Sequence, residues 1–350
     1  MKLFVCTSQQ LLVYERQEGR WTLTTPLGDR APQCVALDPS RPERVYCGTA
    51  QSGLWRSDDA GHTWTDASSG IPHQMVTSLV VSALEHGQDG GGVVYAGTEP
   101  SAVFRSGDGG QTWAELPGLQ DLASKPTWSY PPRPETHHVR CIGLDAHEPG
   151  RLYVCVENGA LVISQDGGQT WEDRVQDSPK DTHTIATHPD APGRVYASAG
   201  DGFVAHGRGY GESRNGGRSW TYPSDGLDAH YGWGLAVDPG DPDTVLGLAR
   251  PAAGAQPHRC GVVCVPPGRG GTVDARHRGP ARAARHACKC TEHQSSSAGV
   301  VLRGQQPWRV LFFGCRAQLS AAGRAVARTV PLSPHSGREG VGRLTVQLDS

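Results

Sequence analysis

One eight-residue phrase recurs four times in this chain, and no other feature restricts its fold as tightly. The copies are Ser57-Asp-Asp-Ala-Gly-His-Thr-Trp64, Ser106-Gly-Asp-Gly-Gly-Gln-Thr-Trp113, Ser164-Gln-Asp-Gly-Gly-Gln-Thr-Trp171 and Ser213-Arg-Asn-Gly-Gly-Arg-Ser-Trp220. They share the pattern S-x-[DN]-x-G-x-[TS]-W. Asp59, Asp108, Asp166 and Asn215 hold the third position; Gly61, Gly110, Gly168 and Gly217 hold the fifth. A shortened copy runs from Tyr14 to Trp21, and successive tryptophans from Trp21 onward stand 43, 49, 58 and 49 residues apart. One four-stranded propeller blade occupies about that length.

The surroundings of each copy repeat as well. A strand such as Arg44–Gly48, Val93–Gly97, Arg151–Cys155 or Arg194–Ser198 comes before it. A shorter apolar run ending in a turn comes before that: Val35–Pro39, Ile142–Asp145, Ile185–Pro189 and Leu235–Pro239. Short runs of β-branched and aromatic residues bounded by Gly, Pro and Asp are strand and hairpin signals. We therefore read four strands per repeat, a to d, with the phrase at the turn from c to d. Its chemistry suits a turn. Asp or Asn accepts nearby backbone N–H groups, Gly supplies a positive φ, and Trp buries a large ring between neighbouring sheets.

On these residues the chain resembles the Asp-box, or BNR, repeat propellers of the sialidase-like superfamily, which also includes sortilin-type receptors and photosystem assembly factors. The resemblance covers roughly residues 1–250. It implies an all-β propeller of four-stranded antiparallel blades, with the boxes at its edge and away from any active centre. Ser57, Asp59, Gly61, Trp64, Ser106, Asp108, Gly110, Trp113, Ser164, Asp166, Gly168, Trp171, Ser213, Asn215, Gly217 and Trp220 are accordingly read as structural.

Three strands precede the first full repeat, at 2–8, 11–17 and 20–25, with no inner strand a. Propellers close by borrowing that strand from the C-terminus, because closure removes exposed edges. Four full repeats follow at about 34–70, 76–120, 137–178 and 183–226, and a strand pair starts at Gly232. At 350 residues six or seven blades are expected, of which about five are readable. After residue 248 the pattern stops. Residues 251–350 hold 14 Lys+Arg against 4 Asp+Glu, whereas residues 1–250 hold 19 against 31. The near-neutral total of -2 thus joins two unlike parts. We divide the chain into a propeller at 1–248 and an Arg/Ala/Gly/Pro-rich tail at 249–350. The break falls mid-strand and not at a linker, so we read the tail as out of frame, with a basic disordered tail as the alternative. Its Cys260, Cys264, Cys288, Cys290 and His293 have spacings that fit no usual zinc module. Its Arg276–Arg285 cluster lacks an aromatic platform for specific nucleic-acid binding. No metal and no cofactor is expected.

Function in a propeller gathers at the channel mouth, built by the d-to-a and b-to-c loops. Ligand-binding candidates there are His137, His138, Arg140, His183, His230, Tyr231 and Trp233, with Tyr210 from the insertion 203–212. The carboxylates Glu99, Glu157 and Asp201 are the candidates for catalysis. His with carboxylates suits acid/base or polar-ligand work. Two hypotheses follow: a binding scaffold for a protein or a small polar or carbohydrate ligand, and a sialidase-like glycoside hydrolase. The second needs an F-R-I-P segment and converging arginines, and neither is evident, so the scaffold is preferred. A monomer in the cytoplasm is expected, since the start of the chain lacks a secretory apolar run and no stretch is long enough to span a membrane.

Overall fold

The computed structural model describes residues 2–250 apart from 19, 225, 226, 228 and 229, and beyond 250 the backbone of six strands. The tail candidates for zinc and nucleic-acid binding have side chains outside the described residues. Strands form where β-branched and aromatic residues run between turn formers. The first sheet holds β1 (Lys2–Cys6), β2 (Leu11–Gln17) and β3 (Arg20–Thr24). The second holds β4 (Pro32–Leu37), β5 (Val45–Thr49), β6 (Leu54–Ser57) and β7 (Thr65–Asp66). The third holds β8 (Met75–His86), β9 (Gly92–Glu99), β10 (Val103–Ser106) and β11 (Ala114–Glu115). The fourth has β12 (Val139–Leu144), β13 (Leu152–Val156) and β14 (Ala160–Ser164), and the fifth β15 (Thr182–Thr187), β16 (Val195–Ala199) and β17 (Tyr210–Ser213). Single bridges, Ile163 to Glu172 and Glu212 to Thr221, stand in place of an outer strand in these two. The sixth is β18 (Tyr231–Asp238), β19 (Asp241–Arg250) and β20 (Gly261–Val265).

All pairs within these six sheets are antiparallel. The N-terminal sheet gains its missing inner strands from far along the chain. There β21 (Ala298–Arg303) pairs with β1, placing Val301 opposite Phe4, and β22 (Arg309–Phe313) pairs with β21. The inner strands adjoin in order: β21 beside β4, then β8, β12, β15 and β18, with β18 beside β22. The remaining strands, β23 (Ala317–Gly323), β24 (Val326–Arg328) and β25 (Leu344–Leu348), form a separate sheet in which β23 and β25 run parallel.

The core lies between sheets rather than within one. Tyr46 and Leu54 of the second sheet pack with Val94, Phe104 and Trp113 of the third. Tyr95 and Val103 meet Val139, Val154 and Val162 of the fourth. Tyr153 and Ile163 meet Ile185, Val195 and Trp220 of the fifth. Trp113 and Trp220 are buried as expected, whereas Trp64 and Trp171 are only partly covered.

The four copies of the phrase make the same turn. Gly61 N–H donates to Ser57 Oγ at 2.8 Å, and Ser57 Oγ donates to Asp59 Oδ1 at 2.7 Å. Asp59 also accepts the backbone N–H and hydroxyl of Thr63. Ser106 with Asp108, Ser164 with Asp166 and Ser213 with Asn215 repeat this. Asn215 lacks a second acceptor oxygen but donates its amide to Ser219 Oγ at 2.8 Å. The phrase is also a seam. A Cβ on Gly61 would lie 2.5 Å from Phe4 of the preceding sheet, and one on Gly110 would lie 2.9 Å from Tyr46. Glycine therefore serves both the positive φ and the close approach of two sheets.

Candidate functional site

Five inner strands share a backbone irregularity at their first turn of pairing. In β4, β8, β12, β15 and β18 the register skips one residue: Gln33, Thr77, Arg140, His183 and Trp233 respectively. A bulge leaves one residue outside the ladder and re-aims its side chain. The five bulges thus set five dissimilar side chains at the same end of neighbouring strands. Neighbours touch: Thr77 donates to Val139 O at 2.6 Å, and the His183 ring stacks on Trp233 with centroids 4.7 Å apart.

Around Arg140 and His183 the structure assembles a chain of charges across three sheets. Arg133 grips Glu99 by donating from Nε to Oε1 at 3.0 Å and from Nη2 to Oε2 at 2.6 Å. Glu99 Oε2 lies 3.6 Å from His138 Nδ1. His138 Nε2 lies 2.9 Å from Glu157 Oε2, and Arg140 Nε stands 3.4 Å from the same oxygen. The other oxygen of Glu157 faces His183 Nε2 at 3.7 Å, and Asp181 Oδ1 faces it at 3.5 Å. His138, Glu157 and His183 are all buried. Such a cluster needs matched charges, because desolvation of an unpaired ion costs several kcal/mol.

The electrostatics follow from the neighbours. Burial opposes the Glu157 carboxylate, but Arg140, His138 and His183 outweigh it and hold its pKa well below the ordinary range. Burial likewise opposes an imidazolium at His183, and the Asp181 and Glu157 carboxylates overcome it, raising the pKa to about 9. Burial pushes the Asp201 carboxyl up, although backbone N–H groups pull the other way.

Of the expected residues, Glu99, Glu157, His138, Arg140, His183, Tyr231 and Trp233 converge. The Tyr231 ring tilts against both His183 and Trp233. His137 sits one step aside, edge-on to Trp128, and the His230 ring is tilted against that of His206. Asp201 is a brace: its carboxylate accepts the N–H groups of Lys180 and Asp181. Tyr210 belongs to a sheet interface instead, packed with Tyr196, Leu235 and Val245, and its hydroxyl donates to Glu212. Asp181, Arg133 and Tyr130 are members that sequence reasoning missed. Tyr130 lies edge-on to His138 and carries Arg133 above its ring. Asp181 stands two residues before His183, a spacing that shares one side of an extended chain. Arg133 lies in the lengthened loop 128–135.

Arg44 and Arg194 of the repeated strand phrase go elsewhere. Arg44 bonds Asp58 and Asp89, and Arg194 bonds Glu212 and Asp243, so each ties its own sheet to the next. Among the described residues no helix is long and apolar enough to cross a membrane.

No protein-family model matches the chain, and no curated protein matches it. Solved structures do. A GH74 xyloglucanase from Xanthomonas campestris is similar over 73% of this chain and 40% of its own, with TM-score 0.53 and 18% identity. A GH74 enzyme from Niastella koreensis is similar over 76% and 42%, with TM-score 0.55 and 17% identity. The chain therefore spans about two fifths of the length of these enzymes. YCF48 bound to D1 peptide is similar over 76% of this chain and 75% of its own, at 14% identity and a looser TM-score of 0.48. At these identities the xyloglucanase likeness establishes the β-propeller fold and nothing about activity.

Proposed function

We propose that this chain is a BNR (Asp-box) propeller that acts as a binding scaffold, taking a protein or small polar ligand at the end of the inner strands where the bulges lie. The observation that carries this reading is the buried charge chain from Arg133 to Asp181. A propeller needs no such cluster to fold, and burying one is costly. Asp181 and Arg133, more exposed than the rest at 18% and 44%, are where a ligand would meet it. The hydrolase alternative is favoured only by the xyloglucanase-like fold. It is disfavoured by the state of Glu157, a buried carboxylate whose pKa Arg140, His138 and His183 hold well below the ordinary range, and so a poor proton donor to a leaving group. The chain is read as a cytoplasmic monomer, and its tail as a product of a shifted frame. An alternate reading frame without the S-x-D-x-G-x-x-W phrase beyond codon 250 would refute that last point.

The test is a panel of aryl glycosides, sialosides and xyloglucan oligosaccharides, followed by calorimetry for binding and by release of the aglycone for turnover. Saturable binding without release is the expected result. Sustained release, lost in both Glu99→Gln and Glu157→Gln, would overturn the scaffold reading in favour of hydrolysis.

A further inference from the structure

His183 is held in an unusual position. Its ring is buried and stacked on Trp233, and Nδ1 lies 2.6 Å from the carbonyl oxygen of Gly232. A carbonyl only accepts, so Nδ1 carries the hydrogen. That leaves Nε2 as the open ring nitrogen. It makes no hydrogen bond. What it faces are two carboxylate oxygens, Asp181 Oδ1 at 3.5 Å and Glu157 Oε1 at 3.7 Å. The three donor atoms lie within 4.8 Å of one another. An imidazole lone pair pointing at two anionic oxygens is unfavourable unless something positive stands between them.

The surroundings hold each donor in place. Glu157 Oε2 is tied to His138 and Arg140, which turns Oε1 toward His183. Asp181 Oδ1 accepts the N–H of Asn158 at 3.1 Å, and the Asp181 backbone is braced by Asp201. A histidine whose Nδ1–H is fixed by a backbone carbonyl, with Nε2 presented, is the usual arrangement of a metal ligand. The two separations from His183 Nε2, 3.5 and 3.7 Å, are close to what one ion requires. Two ligands at roughly 2.1 Å from one ion, at tetrahedral or trigonal angles, stand about 3.4–3.6 Å apart.

We propose that Glu157, Asp181 and His183 bind one divalent transition-metal ion of the zinc class, with at least one coordination position left for water or for an oxygen of a ligand. One imidazole with two monodentate carboxylates suits Zn2+ or Co2+. It does not suit Ca2+, which takes six to eight oxygens. The inference stands apart from the scaffold reading, because metal retention is measured with no other ligand present. A proton on Nε2 is the competing occupant.

The experiment uses the full chain, stripped with chelator and dialysed against micromolar Zn2+ or Co2+. Retained metal is measured by elemental analysis, and the Co2+ site by its visible absorption. We expect one ion per chain, with Co2+ bands that lack thiolate charge transfer. Asp181→Asn keeps an acceptor for Asn158, so the fold is preserved, and affinity should fall at least tenfold. His183→Gln should remove binding, with far-UV circular dichroism reporting on the fold of each variant. Absence of a stoichiometric ion in the wild type would overturn the proposal and leave the proton as occupant. So would binding unchanged in folded Asp181→Asn and His183→Gln, or a thiolate spectrum, either of which places the metal on other residues.

Discussion

The two ends of a blade repeat in opposite ways. At the c-to-d turns the side chains recur: Ser, Asp or Asn, Gly and Trp come back four times, and each time the Ser hydroxyl donates to the Asp or Asn and accepts the Gly N–H. At the bulges of the inner strands the backbone recurs and the side chains do not. Gln33, Thr77, Arg140, His183 and Trp233 occupy one structural position in five successive sheets. Recurrent side chains mark a job that every blade needs, namely closing a turn and seating it against the preceding sheet. A recurrent backbone with variable side chains marks a place where each blade supplies something different, which is what an asymmetric ligand requires.

This contrast breaks most visibly at Glu157. Glu157→Ala leaves His138, Arg140 and His183 without their shared anion, and destabilisation of about 3–5 kcal/mol is expected in urea unfolding. A loss below about 1 kcal/mol would show that the charge chain is not a coupled, desolvated unit. At the other end of the blade, Gly110→Ala adds a Cβ at φ 79, 2.9 Å from Tyr46. Backbone strain and overpacking together should cost about 2–4 kcal/mol by the same measurement. An unchanged midpoint would mean the turn is not a seam.

The pH response sharpens the comparison between copies. Burial is the largest single influence on the Asp108 carboxylate and raises its pKa, but the bonds from Thr112, Ser106 and the Gln111 N–H together outweigh it and take the pKa from 3.8 to about 2. Asp59 and Asp166 are lowered as well, each by the Thr and Ser of its own turn, against an opposing effect of burial that is the largest single influence at Asp59. A depressed folded-state pKa gives stability that is full above 3.8 and lost as pH falls toward 2. The fourth turn, with Asn215, has no such dependence. Asp108→Asn should therefore flatten the acid limb of a stability–pH profile between those values. Equal acid slopes in variant and wild type would refute this. The smallest effect belongs to Ala60, which holds φ 58 where the other copies have Gly109, Gly167 and Gly216. Ala60→Gly should raise thermal stability by under about 1 kcal/mol, left-handed strain relieved being partly offset by a more flexible unfolded chain.

The turns were legible in the sequence because their function is local. The bonds that close the turn, those of Ser57 Oγ and the Asp59 carboxylate, join residues within four positions of each other, so the chemistry must appear as a fixed spacing of residue types. The alternation of short apolar runs was legible for the same reason, whereas the demand for a late strand beside β1 followed from the exposed edge that closure removes. The candidate site was legible only in part. Glu157, His138, Arg140 and His183 could be picked out as polar residues bordering inner strands, but Tyr210 could be placed there on the same grounds and turned out to pack between sheets. Asp181 and Arg133 gave too weak a signal, one being an ordinary loop aspartate and the other a residue in a proline-rich insertion.

The amino-acid sequence by itself determined that this chain builds repeated antiparallel blades and where each turns, since backbone hydrogen bonds and turn geometry act over a few residues. Only the tertiary structure decided which side chains meet. A bulge shifts one residue out of register without leaving a mark in the sequence. The partners it brings together, such as Glu99 with His138 or Glu157 with His183, come from different sheets. Their contact depends on how the blades pack around a shared axis, through buried interfaces that no local spacing encodes.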